Sequence, residues 1–264
     1  MALDEKIISE AIIDKYFKKL KDSLEADVIL VGGGPANLVG SYYMAKAGLK
    51  TVIFESKLAP GGGMWAGGIM FNEAVVQKEA LEIFDDFGIK YTHYRDEYYT
   101  ADSVNATATL ISKTTEAGTT IFNLMKVTDV MFREENNQKF ICGAVIQYSP
   151  IETLQLFVDP ITVKSKAVVD GTGHPAEICS VVTDKLGIKI DTPTGGIPGE
   201  MSMFADIGED TVVKNTKEVF PGLWVTGMAA NAVMGTPRMG PIFGGMIRSG
   251  KFLAEQIIQK LKNE

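Results

Sequence analysis

Two imidazoles occur in the 264-residue chain, His93 and His174, so a three-histidine zinc site cannot be assembled within one copy. His174 stands between Gly173 and Pro175, where its ring would project from the mouth of a strand-to-helix turn, and Asp159 directly precedes Pro160. One carboxylate oxygen and one imidazole nitrogen, with further positions left to substrate and water, suit a labile Fe(II) better than a structural zinc. A histidine in such a turn also serves simply as a hydrogen-bonding residue. His93, among Tyr91, Tyr94, Tyr98 and Tyr99, reads as structural. Arg238 lies in Thr236-Pro-Arg-Met-Gly-Pro-Ile-Phe-Gly-Gly245, an otherwise uncharged turn where a planar fork of donors would hold a carboxylate. The alternative there is a plain surface arginine; Arg248 reads as helix surface.

A nucleotide site is written more strongly. Val31-Gly-Gly-Gly-Pro-Ala-Asn37 follows an apolar run, and Glu55 closes the next one. Gly32 and Gly34 would let the backbone turn sharply toward a pyrophosphate at a helix N-terminus, while Glu55 would accept from a ribose diol. Asn37 stands where a third glycine is usual. Pro60-Gly-Gly-Gly-Met-Trp-Ala-Gly-Gly68 follows, either as backbone packed on a flat or phosphorylated ligand or as a mobile surface loop.

These residues need a frame, and the hydropathy pattern supplies one. Residues 26–31, 36–47 and 50–55 read as strand, helix and strand, a βαβ unit. An amphipathic helix over 5–23 would dock Ile8, Ile12, Tyr16 and Leu20, and further helices are expected over 74–87, 106–117 and 245–262. Thr120 to Phe122 reads as a short strand. Segments 127–133, 141–148 and 154–158 look like an antiparallel β insertion, about 127–163, before parallel strands return at 166–170 and 222–226. Asp191 to Ser202 reads as a long loop. The expected fold is α/β, a Rossmann-like parallel sheet of the two-dinucleotide-binding flavoprotein type, in one domain over 1–264. In such flavoproteins the segments equivalent to Asp170–His174 and Gly222–Met228 line one crevice, and an aspartate usually faces the flavin where Met228 stands here. A dinucleotide without a flavin follows.

Composition bounds the partners. Apolar residues at 45% and charged residues at 22% exclude a disordered or fibrous chain. A net charge of −7 without a dense basic run argues against nucleic acid. The first 24 residues are too charged for a secretory signal, and glycines and Pro35 interrupt the longest uncharged stretch, so no membrane association is expected. Two separated cysteines, Cys142 and Cys179, fit a reducing cytoplasm.

Taken in order and spacing, Gly32-Gly-Gly-Pro-Ala36, Glu55-Ser56, Pro60-Gly-Gly-Gly-Met-Trp65, Val158-Asp-Pro160, Gly173-His174 and Arg238-Met-Gly-Pro-Ile-Phe-Gly-Gly245 resemble the Thi4 thiazole synthase family in its archaeal and bacterial form. The resemblance spans nearly the whole chain. It implies synthesis of an adenylated thiazole carboxylate, the thiamine precursor, from NAD, glycine and a sulfur source with Fe(II). NAD is then a substrate. Ala36, Glu55, Ser56 and Gly63 would hold the dinucleotide and Val127 and Met228 would line it, with Phe157 and Val158 beside them. Asp159 and His174 would ligate iron and Arg238 would bind the glycine carboxylate. The family forms homo-octamers in which the segment carrying Asp159 reaches a neighbouring subunit. Where members carry a sulfur-donating cysteine or a histidine, this chain has Phe157, so sulfur would come from outside as sulfide and turnover would be multiple. A flavin-dependent oxidoreductase and a noncatalytic NAD-binding protein are the alternatives.

Overall fold

The computed structural model describes residues 3–263. In chain order the elements are α1 (Glu5–Asp22), β1 (Glu25–Val31), α2 (Pro35–Lys46), β2 (Thr51–Glu55), β3 (Glu73–Gln77), α3 (Leu81–Phe87), β4 (Thr92–Arg95), β5 (Tyr98–Asp102), α4 (Ser103–Glu116), β6 (Thr120–Asn123), β7 (Met125–Glu135), β8 (Gln138–Tyr148), α5 (Ser149–Thr153), β9 (Ile161–Asp170), α6 (Glu177–Ser180), α7 (Ala205–Lys214), β10 (Lys217–Phe220), β11 (Leu223–Val225), α8 (Met228–Met234) and α9 (Gly244–Asn263). A 3-10 turn covers Gly62–Ala66.

The principal sheet runs β10-β11-β9-β1-β2-β6, parallel from β11 to β6, with β10 antiparallel at its edge. β1 ends in the unbroken run Val28-Ile-Leu-Val31, buried on both faces, which is the signature of a buried parallel strand. Ile29 and Val31 point into one cluster with Val52, Phe54 and Val168. Val28 and Leu30 point into the other with Leu38, Val39, Leu110, Leu253 and Ile257 from α2, α4 and α9. The first cluster is roofed by the β7–β8 hairpin through Val127, Val130, Ile141 and Ile146. The fold is therefore the expected α/β one, with a parallel sheet between helices on one face and an antiparallel layer on the other.

β9 joins the two β systems. Its first half pairs antiparallel with β8, from Ile161 with Ile146 to Lys164 with Gly143, and its second half pairs parallel with β11, from Val168 with Leu223 to Asp170 with Val225. The strand that leaves the insertion is thus the strand that delivers Asp170 to the sheet's carboxyl edge, beside Val31 of β1.

Three sequence expectations need correction. Residues 74–87 are not one helix: β3 occupies Glu73–Gln77, pairs antiparallel with β5, and the helix starts only at Leu81. Apolar Ala74 and Val76 alternate with period two, and the helical pattern beyond them masks the break. Residues 154–158 are not a strand; after the short α5 the chain continues irregular and exposed to Pro160. The alternating Leu154, Leu156 and Val158 are all outside rather than on a buried face. On α1, Leu20 is buried and Tyr16 packs on the core, whereas Ile8, Ile12 and Phe17 stay exposed, so only the helix's C-terminal half docks within the chain. Among the described residues no helix is long and apolar enough to cross a membrane.

Candidate active site

Strands β1, β2, β9 and β11 all end on one edge of the sheet, and the turns that leave them wall a cavity of about 900 Å³. This is where an open α/β sheet binds its ligand, outside the carboxyl ends of strands at a switch in their order. The volume lies in the upper part of the range of about 300–1,000 Å³ usual for small-molecule pockets.

The β1 exit is held by close backbone contact. Gly32 adopts φ +89°, and a Cβ there would lie 2.8 Å from the Gly171 carbonyl, so the turns after β1 and β9 touch only because residue 32 lacks a side chain. Asn37, in the usual third-glycine position, is fully buried and donates from Nδ2 to the carbonyls of Val31 at 2.9 Å and Gly32 at 2.8 Å. It staples the turn to the helix it opens. Gly34 caps α2 without a side-chain acceptor and Pro35 takes the first helical position, so the helix begins at the cavity wall with no side-chain cap on its first-turn N–H groups.

Glu55, at the end of β2, is buried. Oε2 accepts from the Gly33 N–H at 2.6 Å, and Oε1 accepts from the Lys57 N–H at 2.7 Å and more weakly from Ser56 Oγ at 3.4 Å. A carboxylate has about four lone-pair sites, so acceptor capacity remains for a diol.

The β9 exit carries His174. Asp170 is fully buried and takes Thr172 N–H and hydroxyl on Oδ1, at 3.0 and 2.7 Å, and the Ile178 and Cys179 N–H groups on Oδ2, at 3.0 and 2.9 Å. A buried carboxylate so fully satisfied pins the turn to the start of α6 and fixes the base from which His174 projects. The His174 ring is about half exposed, and its Nδ1 lies 2.5 Å from Glu200 Oε1.

Arg238 arrives from a different part of the chain. Its backbone is laddered to residues 201–204: Met201 N–H to Thr236 O at 3.0 Å, Arg238 N–H to Met201 O at 3.2 Å, and Phe204 N–H to Arg238 O at 2.9 Å. Buried Asn231 steadies the same loop by donating to Pro237 O at 3.2 Å and Gly208 O at 3.1 Å. The Arg238 Nε then faces Glu200 Oε1 at 3.4 Å. Glu200 Oε2 is buried and has no partner.

Of the residues singled out in the sequence, Gly32, Gly34, Ala36, Glu55, Ser56, Gly63, Val127, His174, Met228 and Arg238 all line this one cavity. Phe157, Val158 and Asp159 do not: they sit on the exposed segment before β9, with Gln147 Nε2 donating to Val158 O at 2.7 Å. Within one copy of the chain, Asp159 therefore lies outside the cavity that holds His174. Among the described residues no group of three or more His, Cys, Asp and Glu side chains is placed to hold a metal. His93 is on β4 at the second sheet, bonded to Asp96 O at 2.8 Å and away from the cavity.

Two functional candidates escaped the sequence reading. Glu200 is the more telling one, and its signal was a single charge in the neutral, glycine-rich stretch from Thr192 to Ala205. Lys126 lines the cavity at the start of β7 and pairs with Glu152 at 2.9 Å and Glu177 at 3.6 Å; the Glu152 hydrogen bond foremost holds its ammonium above the ordinary lysine range.

Comparison with known proteins agrees with this frame. The sequence model of the Thi4 family matches residues 9–243. A thiamine thiazole synthase of Methanococcoides burtonii is 55% identical over 99% of this chain and 100% of its own length. One of Methanothermobacter thermautotrophicus is 53% identical over the same shares. The crystal structure of Thi4 from Thermovibrio ammonificans superposes with a TM-score of 0.97 at 50% identity, covering 99% of this chain and 100% of that one. A geranylgeranyl bacteriochlorophyll reductase-like protein of Thermoplasma acidophilum, at 16% identity, TM-score 0.51 and coverage of 90% and 82%, shares the fold alone. On a family match across nearly the whole chain and relatives identical at half their positions, this chain belongs to the Thi4 family.

Proposed function

We propose that the protein is a thiamine thiazole synthase that builds an adenylated thiazole carboxylate from NAD, glycine and sulfide with Fe(II), over multiple turnovers. The observation that carries this reading is the shared cavity: the dinucleotide cradle of Gly32, Gly34 and Glu55 and the carboxylate-binding candidate Arg238 open onto the same space as His174.

The uncapped N–H groups at the start of α2 receive the pyrophosphate, as helix N-termini do. Glu55 accepts from the adenosine ribose with the lone pairs its backbone contacts leave. Ala36, Ser56, Gly63, Val127 and Met228 shape the walls. Met228, 7% exposed at the start of α8, presents a thioether where an acid would be needed for a flavin's polar chain, which favours the dinucleotide as reactant over the flavin oxidoreductase reading.

The in-chain half of an iron site fits the residues present. With Nδ1 occupied by the Glu200 carboxylate, the neutral ring carries its proton on Nδ1 and its lone pair on Nε2, the arrangement in which metal-ligating histidines are held. Asp159 would then come from a neighbouring subunit of a homo-octamer, together with Phe157 and Val158. Exposed Leu154, Leu156 and Val158 on its segment are the surface such a contact would cover. A bound ferrous ion would supply Lewis-acid polarisation and an open position for sulfide. Arg238 holds the glycine carboxylate through its guanidinium and so orients the amino end toward the opened ribose. NAD gives up nicotinamide, and its ribose carbons, glycine and sulfide furnish the ring atoms.

Neither cysteine competes as sulfur donor. Cys179 is buried against Asp170, and burial first and that carboxylate second push its thiol well above the ordinary range. Cys142 is on β8 with its Sγ on Met131 O at 3.5 Å, and neither lines the cavity. Anaerobic incubation with NAD, glycine, sulfide and Fe(II) is expected to yield more than one adenylated thiazole per chain by mass spectrometry. No product with iron or cobalt would overturn the proposal.

A further inference from the structure

We infer that Glu200 is a positioning residue that sets the His174 imidazole and the Arg238 guanidinium against each other through one oxygen atom; this rests on the function proposed above. Oε1 lies 2.5 Å from His174 Nδ1 and 3.4 Å from Arg238 Nε, while Oε2 makes no bond. Oε1 is hydrogen-bonded to the imidazole and, at the longer distance, ion-paired with the guanidinium, so a single oxygen atom bears on both side chains. On the histidine it fixes the tautomer, leaving the lone pair at Nε2. On the arginine it takes the Nε edge, which leaves the two terminal nitrogens as the free fork for an incoming carboxylate.

The backbone makes this a rigid coupling rather than a chance contact. Glu200 immediately precedes Met201, whose N–H and C=O are both bonded to the Arg238 loop. His174 rests on the turn tied down by Asp170. The Glu200 side chain is 15% exposed, so solvent competes little for its charge. Two loops distant in sequence are thereby brought into register by one carboxylate.

The test compares wild type, Glu200→Ala, Glu200→Gln, Glu200→Asp and His174→Ala, using Co(II) as a spectroscopic probe in the presence of NAD and glycine, with NAD affinity and thermal melting as fold controls. Glu200→Ala is expected to weaken Co(II) binding about 10- to 100-fold, the usual cost of losing the partner of a ligating histidine. It should also raise the KM for glycine more than it lowers kcat, and leave NAD affinity unchanged. Glu200→Asp, which restores the charge, should recover part of both losses, and Glu200→Gln should fall between. If Glu200→Ala does not fold, the Gln and Asp variants carry the comparison. Co(II) binding by His174→Ala equal to wild type would remove the metal assignment on which the proposed function rests. Weak binding by His174→Ala with wild-type binding and glycine KM in all Glu200 variants would overturn the positioning role alone.

Discussion

Gly250 of α9 faces the backbone carbonyl of Ala36 in α2 so closely that a Cβ at residue 250 would overlap the oxygen. The contact is mutual, since a Cβ on Gly40 would lie 3.0 Å from Gly250 O. These two helices cover one face of the sheet, and Ala36 also lines the cavity. Packing in the core and the wall of the cavity thus meet at one residue.

Gly250→Ala should therefore act on both. Overpacking of this kind costs about 1–3 kcal/mol, because backbone rather than a flexible side chain must move. At about 2–4 °C per kcal/mol for a chain of this size, the melting temperature should fall by several degrees. NAD affinity should fall as well, because the α2 start moves with Ala36. Calorimetric titration of NAD into a folded but less stable variant checks this; unchanged affinity would show that α2 absorbs the strain elsewhere.

A second prediction concerns acid. Glu209 in α7 is buried, takes the Gly245 N–H at 2.6 Å and Gln77 Nε2 at 2.5 Å on Oε2, and leaves its Oε1 and the Gln77 Oε1 buried without donors. Burial is the main cause that raises its carboxyl above the ordinary range, against the Gly245 and Gln77 bonds. Protonation of Glu209 removes the charge that burial disfavours. In the window between the unfolded and the raised folded value the native state binds more protons, so this group's contribution is complete below the unfolded value and is lost as pH rises through the folded one. Glu209→Gln should flatten that decline in urea midpoints measured from acidic to neutral pH. An unchanged slope would place the titration elsewhere.

How much of this was legible beforehand depends on how local each signal is. The turn from Gly32 to Ala36 and the acid Glu55 announce themselves because strand, turn and helix each impose a composition of their own. Arg238 stood out for lack of charged neighbours. Glu200 did not, because its partners His174 and Arg238 come together only through the Met201 ladder, which leaves no periodicity in the sequence. The Leu154, Leu156, Val158 alternation misled for the opposite reason: it is a strand-like pattern on a segment whose apolar side chains have no core to face.

A third prediction isolates the sulfur source. Cys142→Ala and Cys179→Ala together remove every thiol in the chain. Since neither borders the cavity and Cys179 is buried under a carboxylate, the double variant should make thiazole from added sulfide at a rate near wild type. Its melting temperature should be lower, because the buried Cys179 leaves a small void. Strict loss of product from a folded double variant would mean that a protein thiol relays the sulfur.

The position of Asp159 makes a prediction about assembly. Its segment is exposed and outside the cavity of its own chain, while His174 is inside it. If the two complete one site across a subunit boundary, Asp159→Ala and His174→Ala should each abolish thiazole formation, yet coexpressed chains should regain it. A site formed by the aspartate of one variant and the histidine of the other is intact in about a quarter of random pairings at a heterologous interface. Recovery toward that fraction, absent when the separately purified variants are mixed without subunit exchange, is the expected result. A site formed within one chain gives no recovery under any mixing, because every chain then carries a lesion in its own site.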